Sequence, residues 1–313
     1  MQHYNTATNE LGNSLTSTNS TAPAISAPSI SSSAMLVILS ISTWTGRKLD
    51  KRASTDVTRT NGADSGIANV HKKLLGNCDE LDAVQKFGAN ARNIHYSMSM
   101  PWSDLGLRLL PTAQYTKYHQ AMTDLQNEFN RLAQVFIDAY EWEISQAQAR
   151  LGALFSRDDY PTAESIASKF AFELNYIPLP ESGDFRIDVG VEALNQVKSG
   201  YAEFYSAQNK RAMDDVWHRV YGALSKMSER LDYGDHEKKK IFRDSLVDNV
   251  IDMVELLDVC NVTGDSQMSA MRLQLEDALR GVTPDALRDD AFLRAETKRA
   301  VDNAINSLPS LDI

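Results

Sequence analysis

The chain has 313 residues, of which 42% are hydrophobic and 24% are charged. These values are typical of a globular protein and exclude a fibrous or wholly disordered chain. The net charge of −10 at pH 7 disfavours binding to nucleic acid or to an anionic membrane through the surface as a whole, because like charges repel at long range. Such a role would need a locally basic segment.

The sequence lacks the features of a membrane or secreted protein. Its longest apolar run, residues 34–39, is far shorter than the roughly 20 residues of a membrane-spanning helix. The residues before that run include no Lys or Arg, whereas a secretory signal begins with positive charge. Cys78 and Cys260 are the only cysteines, which disfavours a disulfide framework. We therefore expect a cytoplasmic protein without membrane contact.

The first third of the chain passes from a polar tail into mixed structure. Residues 1–34 are dominated by Ser, Thr, Asn and Ala, and so little apolar surface predicts a disordered tail. The apolar residues 35–42 have the length of a buried strand. Residues 46–59 and 79–96 show helical patterns. The proline-bracketed residues 101–111 are predicted to form an ordered connection without regular structure.

Two long apolar seams give the clearest signal. The first alternates steps of three and four residues, which is typical of a coiled-coil-like helix, and it predicts one helix over residues 112–155. The second predicts a helix of similar length over residues 194–231. The first seam begins with Tyr115, Tyr118, Met122, Leu125, Phe129, Leu132 and Phe136. We expect the two helices to pack against each other in antiparallel orientation.

The segment between the seams predicts a small sheet. Residues 161–172 predict a short helix, and residues 176–179 and 185–189 predict a β-hairpin around a Pro-Glu-Ser-Gly turn. Together with the strand at residues 35–42, the hairpin would form a small antiparallel sheet at one end of the helix pair.

Residues 236–313 predict further helices. Residues 238–259 carry one apolar face, Asp265 is a good N-cap for the next helix, and Thr283 before a proline marks another helix start. We expect these helices to pack on the body formed by residues 35–235. The predicted fold is therefore mainly α, with two long antiparallel coiled-coil-like helices, a small antiparallel β-sheet at one end and a C-terminal helical bundle.

Catalytic motifs are weak. Neither the Walker pattern nor the dinucleotide-binding glycine fingerprint occurs, which disfavours an ATPase. Asp215 and His218 have the spacing of half a helical di-metal site, but the sequence has no second carboxylate-x-x-His unit. The carboxylates of residues 244–255 lie opposite an apolar face, as on a solvated surface. We assign no catalytic, cofactor-binding or metal-binding residues, and a metal-dependent hydrolase is the weakest hypothesis.

A basic segment follows the first predicted strand. Residues 34–100 hold nine basic and six acidic side chains, whereas residues 101–190 hold seven and thirteen. Basic side chains next to an exposed aromatic residue can bind single-stranded nucleic acid through phosphate contacts and stacking. On a helix, four of the basic residues would stack in two pairs. The candidate contact residues for nucleic acid or a partner are Trp44, Arg47, Lys48, Lys51, Arg52 and Arg59.

Five stretches resemble an uncharacterised family of proteins from tailed bacteriophages and mobile elements of proteobacteria. They are ISTWTGRKLDK (residues 41–51), PWSDLGLRLLP (101–111), DFRIDVG (184–190), FRDSLVDNV (242–250) and LDVCNVTG (257–264). The resemblance covers residues 35–281. It implies no assigned activity and no catalytic residues.

Genes of this family often lie near a MoxR-type AAA+ ATPase and a von Willebrand factor A protein similar to a cobalt-chelatase subunit. The resemblance therefore implies a non-enzymatic accessory or scaffold protein of the host bacterial cytoplasm. It would act with the ATPase or the von Willebrand protein, or form homo-oligomers through its apolar seams. The alternative hypothesis is nucleic-acid binding in phage recombination or replication through the segment after Trp44.

Overall fold

The computed structural model describes residues 30–180, 191–233 and 240–311. These residues form a mainly helical protein with a small antiparallel sheet, which confirms the predicted fold class at this level. Residues 1–29, the predicted second hairpin strand at 185–189 and the start of the helix predicted from residue 238 lie outside the described residues.

Strands and helices are interspersed up to residue 178, and the described residues beyond it form helices alone. The strands are β1 (Ala34–Ser42), β2 (Arg47–Leu49), β3 (His71–Lys73), β4 (Met100–Pro101), β5 (Arg108–Pro111) and β6 (Ala171–Pro178). The helices are α1 (Ile30–Ser33), α2 (Lys51–Thr60), α3 (Asp79–Ser97), α4 (Tyr115–Leu151), α5 (Ala163–Ala167), α6 (Val191–Leu231), α7 (Ser245–Cys260), α8 (Ser266–Ala278), α9 (Pro284–Asp289) and α10 (Ala291–Asn306). None of the helices in the described ranges is long and apolar enough to cross a membrane.

Strand β1 lies at the centre of the larger sheet. The strand order is β4-β5-β1-β6 and each neighbouring pair is antiparallel. Leu36 lies opposite Leu109 of β5, and both belong to the cluster formed with α6 and the C-terminal helices. Val37 faces the other way and packs with Tyr118 and Met122 of α4. Because neighbouring strand residues point to opposite faces, the sheet has helices on both sides.

The two long helices do not form the predicted antiparallel pair. Helix α4 packs mainly on α3, where Phe129 and Phe136 are buried. Helix α6 packs on α7 and α10, where Val220 and Leu224 are buried. The prediction was wrong because the sheet lies between the two helices, and the buried parts of the two apolar seams are covered by shorter helices on their own sides.

Three local predictions also need correction. Residues 46–59 form strand β2 before helix α2, because the Asp50 carboxylate accepts a hydrogen bond from the backbone N–H of Ala53 and begins the helix there. The helix predicted over residues 161–172 shortens to α5, since β6 begins at Ala171. The connection predicted at residues 101–111 contributes both β4 and β5, which pair with each other.

The C-terminal helix starts are as predicted. The Asp265 carboxylate accepts hydrogen bonds from the backbone N–H groups of Gln267 and Met268, at 2.7 and 3.1 Å. The Thr283 hydroxyl accepts one from Ala286 at 3.2 Å. These side chains satisfy N–H groups that have no partner inside the helix.

A buried polar pair joins α3 to α4. His95 is 2% exposed, and its Nδ1 lies 2.7 Å from the hydroxyl of Tyr118. Burial, with a smaller contribution from Arg108, lowers the pKa of His95 to about 4. The imidazole is therefore neutral in the folded protein over the range in which an unfolded chain would protonate it.

The buried pair of His95 and Tyr118 predicts that the free energy of unfolding depends on pH. Because the folded pKa of His95 lies below its ordinary value of 6.5, the stabilisation is complete above pH 6.5 and is lost as the pH falls towards 4. The loss should approach roughly 3 kcal/mol. In urea unfolding at several pH values, the His95→Gln variant should lack this component.

The matched control is His119→Gln, which removes an exposed imidazole that contacts the Tyr176 hydroxyl at 3.0 Å. It should keep the wild-type dependence on pH between 6.5 and 4. Identical curves for His95→Gln and wild type would contradict the assignment.

Candidate polyanion-binding surface

The basic residues after Trp44 lie on a two-stranded ribbon. Strands β2 and β3 pair antiparallel, with Arg47 opposite Lys73 and Lys48 opposite Lys72. We call these four side chains the basic ribbon. Because directly opposite residues share a face and neighbouring residues alternate, Arg47 and Lys73 lie on one face and Lys48 and Lys72 on the other.

One face of the basic ribbon is neutralised by carboxylates. Asp159 accepts hydrogen bonds from the Nζ of Lys48 at 2.8 Å and of Lys72 at 2.6 Å. Lys72 also lies 3.3 Å from Asp50 and donates to the carbonyl oxygen of Leu154 at 2.7 Å. The two lysines hold the pKa of Asp159 below its usual value. This face therefore fastens the ribbon to the segment that follows α4.

The other face carries exposed cations. Arg47 and Lys73 are exposed and have no carboxylate partner within ion-pair distance among the described residues. The same holds for Lys51 and Arg52, in the first turn of α2. Two cations on directly opposite strand positions repel each other. A bound anion would relieve that repulsion.

Three predicted contact residues have other roles. Trp44 packs against the aromatic rings of Phe136 and Tyr140, at centroid distances of 6.0 and 5.7 Å, so it is not the exposed stacking platform that we expected. Lys48 is held by Asp159. Arg59 lies 3.2 Å from Asp56. The predicted helical stacking of Arg47 over Lys51 and of Lys48 over Arg52 is also wrong, because Arg47 and Lys48 lie in β2.

The structure adds residues that the sequence analysis missed. His71, Lys72 and Lys73 form β3 and come beside β2 although more than twenty residues separate them in the chain. Their only signal was a basic run after a cluster of turn formers. The whole segment, residues 46–73, holds seven Lys or Arg residues and three Asp residues, so its charge is opposite to that of the protein.

Potential metal ligands also meet beside the ribbon. The ligand atoms of Cys78, Glu80 and Glu143 all lie within 4.8 Å of one another. However, Glu143 accepts a hydrogen bond from Arg150 at 3.0 Å, and burial raises the pKa of the Cys78 thiol to about 11. Arg150 also donates to the carbonyl oxygens of Leu75 and Asn77, both at 3.0 Å. In this arrangement the group ties α4 to the β3–α3 connection.

Asp215 and His218, which have the spacing of half a metal site, do not share a site in the structure. Asp215 forms an ion pair with Arg219 at 2.6 Å, and the Nδ1 of His218 lies 2.7 Å from the Asp214 carbonyl oxygen, so Asp215 and His218 have separate partners. The carboxylate row predicted to face solvent is exposed throughout. Its members are Asp244, Asp248, Asp252 and Glu255.

The fold and the surface together define a mainly helical protein with a basic ribbon on an acidic body. No protein-family model, curated protein or solved structure matches the chain. Function has to be inferred from the residues of the surface.

The Asp159 carboxylate should be important for stability. Asp159→Asn removes the negative charge that Lys48 and Lys72 share and replaces one of its two acceptor oxygens by an NH2 group, and we expect it to lower the free energy of unfolding by roughly 1 to 2 kcal/mol. Because the folded pKa of Asp159 is lowered, this contribution is present above the ordinary Asp pKa of 3.8 and is lost as the pH falls through the lowered value. Chemical denaturation at pH 7 measures it.

Asp158→Asn is the control, since Asp158 is the adjacent, exposed residue and the charge change is the same. It should leave the free energy of unfolding within about 0.5 kcal/mol of wild type. Equal losses for the two variants would show that net charge, rather than the ion pairs, is responsible.

Proposed function

We propose that the protein is a non-enzymatic accessory protein of a phage or mobile element, and that it binds nucleic acid through the basic ribbon. The observation that carries the proposal is the exposed pair Arg47 and Lys73, which lie directly opposite each other without a carboxylate partner among the described residues. Phosphate groups are anions that arginine and lysine bind well. Lys51 and Arg52 extend the same basic segment.

The proposed contact is with the phosphate backbone rather than with bases. The aromatic ring of Trp44 packs on Phe136 and Tyr140, so it does not supply a stacking surface. Binding should therefore depend little on sequence and strongly on salt. With four exposed cations, the logarithm of the affinity for duplex DNA should fall with the logarithm of salt concentration with a slope of roughly −3 to −4.

The double variant Arg47→Gln with Lys73→Gln tests the proposal. It removes two of the four cations, so the affinity for labelled duplex DNA of mixed sequence should fall about tenfold or more, and the slope should become shallower by roughly 2. Fluorescence anisotropy at several salt concentrations measures both quantities. Asp159→Asn frees Lys48 and Lys72 and should raise the affinity severalfold.

A matched control is Lys86→Gln with Arg131→Gln, which removes two exposed cations that pair with Asp82 at 3.8 Å and with Glu128 at 2.7 Å. It changes the net charge by the same amount and should leave binding nearly unchanged. The absence of binding at low salt, or equal losses for the two double variants, would refute the proposal.

A second candidate function is docking of a protein partner on the first half of α6. Among its described side chains, the first that is buried is Ala212, so about 30 Å of helix precede it. Val197 and Phe204 are 39% and 46% exposed, and their seven-residue spacing places them on one face, as in a coiled-coil seam. The family resemblance suggests the AAA+ ATPase, the von Willebrand factor A protein or a second copy as the partner.

Phe204→Glu tests the second candidate. The charge should weaken a coiled-coil-like contact, and it should abolish recovery of the ATPase or the von Willebrand protein with tagged protein from phage-infected cells, with or without nuclease. Phe292→Glu, at a position 77% exposed on α10, is the control. A wild-type protein that is strictly monomeric by light scattering and recovers neither partner would contradict this function.

A further inference from the structure

A cavity lies between α3 and α4 on one side and α6 and α7 on the other. Its volume is about 570 Å³, and its walls come from the end of α3, the start of α4, and helices α6 and α7. This volume falls within the range of about 300 to 1,000 Å³ that is typical of small-molecule sites. It is separate from the basic ribbon and shares no lining residue with it.

Arg219 lines the cavity and is held in place by hydrogen bonds. Its guanidinium donates to the backbone carbonyl oxygens of Tyr96 at 2.9 Å, Ser97 at 2.8 Å and Ser99 at 2.8 Å. It also pairs with Asp215 at 2.6 Å. Because these partners occupy its donors and neutralise its charge, Arg219 is poorly placed to bind an anion in the cavity.

The walls are apolar and adaptable. They include Met98, Met253, Leu256 and Val259. Methionine side chains are unbranched and polarisable, so they adjust to ligands of different shapes. An apolar ligand body would therefore be accepted between α3 and α7 without a strict shape requirement.

The charged group at the cavity that has no partner is a hydrogen-bond acceptor. Lys117 at the rim already donates to Glu255 at 2.7 Å. The Oε1 atom of Gln114 also has no hydrogen-bond partner among the described residues, but it is inaccessible to water and so does not face the open space of the cavity. Asp252 lines the cavity and has no basic partner within ion-pair distance in the described part of the chain. An unpaired carboxylate favours a donor that carries positive charge.

We infer that this cavity binds a small amphipathic amine, with its apolar body against Met98, Met253 and Leu256 and its ammonium group beside Asp252. The site is independent of nucleic-acid binding by the basic ribbon. An uncharged analogue would lose the contact with the Asp252 carboxylate, and an anionic analogue would be repelled by it.

Three probes of equal ring size test the inference: 1-naphthylmethylamine, 1-naphthalenemethanol and 1-naphthylacetate. Titration calorimetry with the full chain at pH 7 should show the amine binding about tenfold more tightly than the alcohol, and the acetate more weakly still, since a hydrogen bond to a charged group is worth more than a neutral one. Asp252→Asn should remove the advantage of the amine and leave binding of the alcohol unchanged.

Asp248→Asn is the matched control, because Asp248 is an exposed carboxylate on the same helix that does not line the cavity. It should keep the wild-type preference for the amine. Met253→Trp fills the cavity and should abolish binding of all three probes, with a thermal melt to confirm that the variant is folded. Equal affinities for the three probes in wild type, tighter binding of the acetate, or no binding of the amine at millimolar concentration would each overturn the inference.

Discussion

Burial of β1 on both faces is the constraint on which the rest of the structure depends. Leu36 and Val37 are neighbours in the chain, and they are 5% and 0% exposed although their side chains point in opposite directions. An antiparallel sheet that is apolar on both faces needs cover on both faces. Helix α4 supplies it on one side, and α6 with the C-terminal helices on the other. The long helices are therefore held apart, and shorter helices cover α4 and the second half of α6.

The basic ribbon depends on a different balance, because two short strands alone are only marginally stable in water. Asp159 binds the two lysines of one face, and the Tyr160 hydroxyl donates to the Leu74 carbonyl oxygen just after β3. Together they attach the ribbon to the segment after α4. Half of its positive charge thus contributes to stability. The other half, Arg47 and Lys73, remains exposed on a protein whose net charge is −10, which would orient an approaching polyanion towards this face.

Local signals were sufficient for the longer helices but not for the bounds of α2 and α5, the sheet or the surface. Helix α3 and the caps Asp265 and Thr283 follow from neighbouring residues. Strands β4 and β5 were missed because they are two and four residues long, and because β5 depends on pairing with distant β1 while β4 pairs with β5 alone. Trp44 was misjudged for a similar reason, since its neighbours in the sequence are basic but its contacts are Phe136 and Tyr140. A count of basic residues along the chain could have added Lys72 and Lys73 of β3 to the candidate contact residues.

The contacts that join α3 and α4 to α6 and α7 around the cavity differ in strength. The pair Lys117 and Glu255 links α4 to α7, but its side chains are 62% and 54% exposed, and such pairs contribute about 1 kcal/mol or less. Arg219 joins α6 to three carbonyl oxygens at the end of α3, and hydrogen bonds from a charged donor contribute roughly 1.5 to 3 kcal/mol. Arg219 should therefore hold α6 to the end of α3 more firmly than the Lys117–Glu255 pair holds α4 to α7.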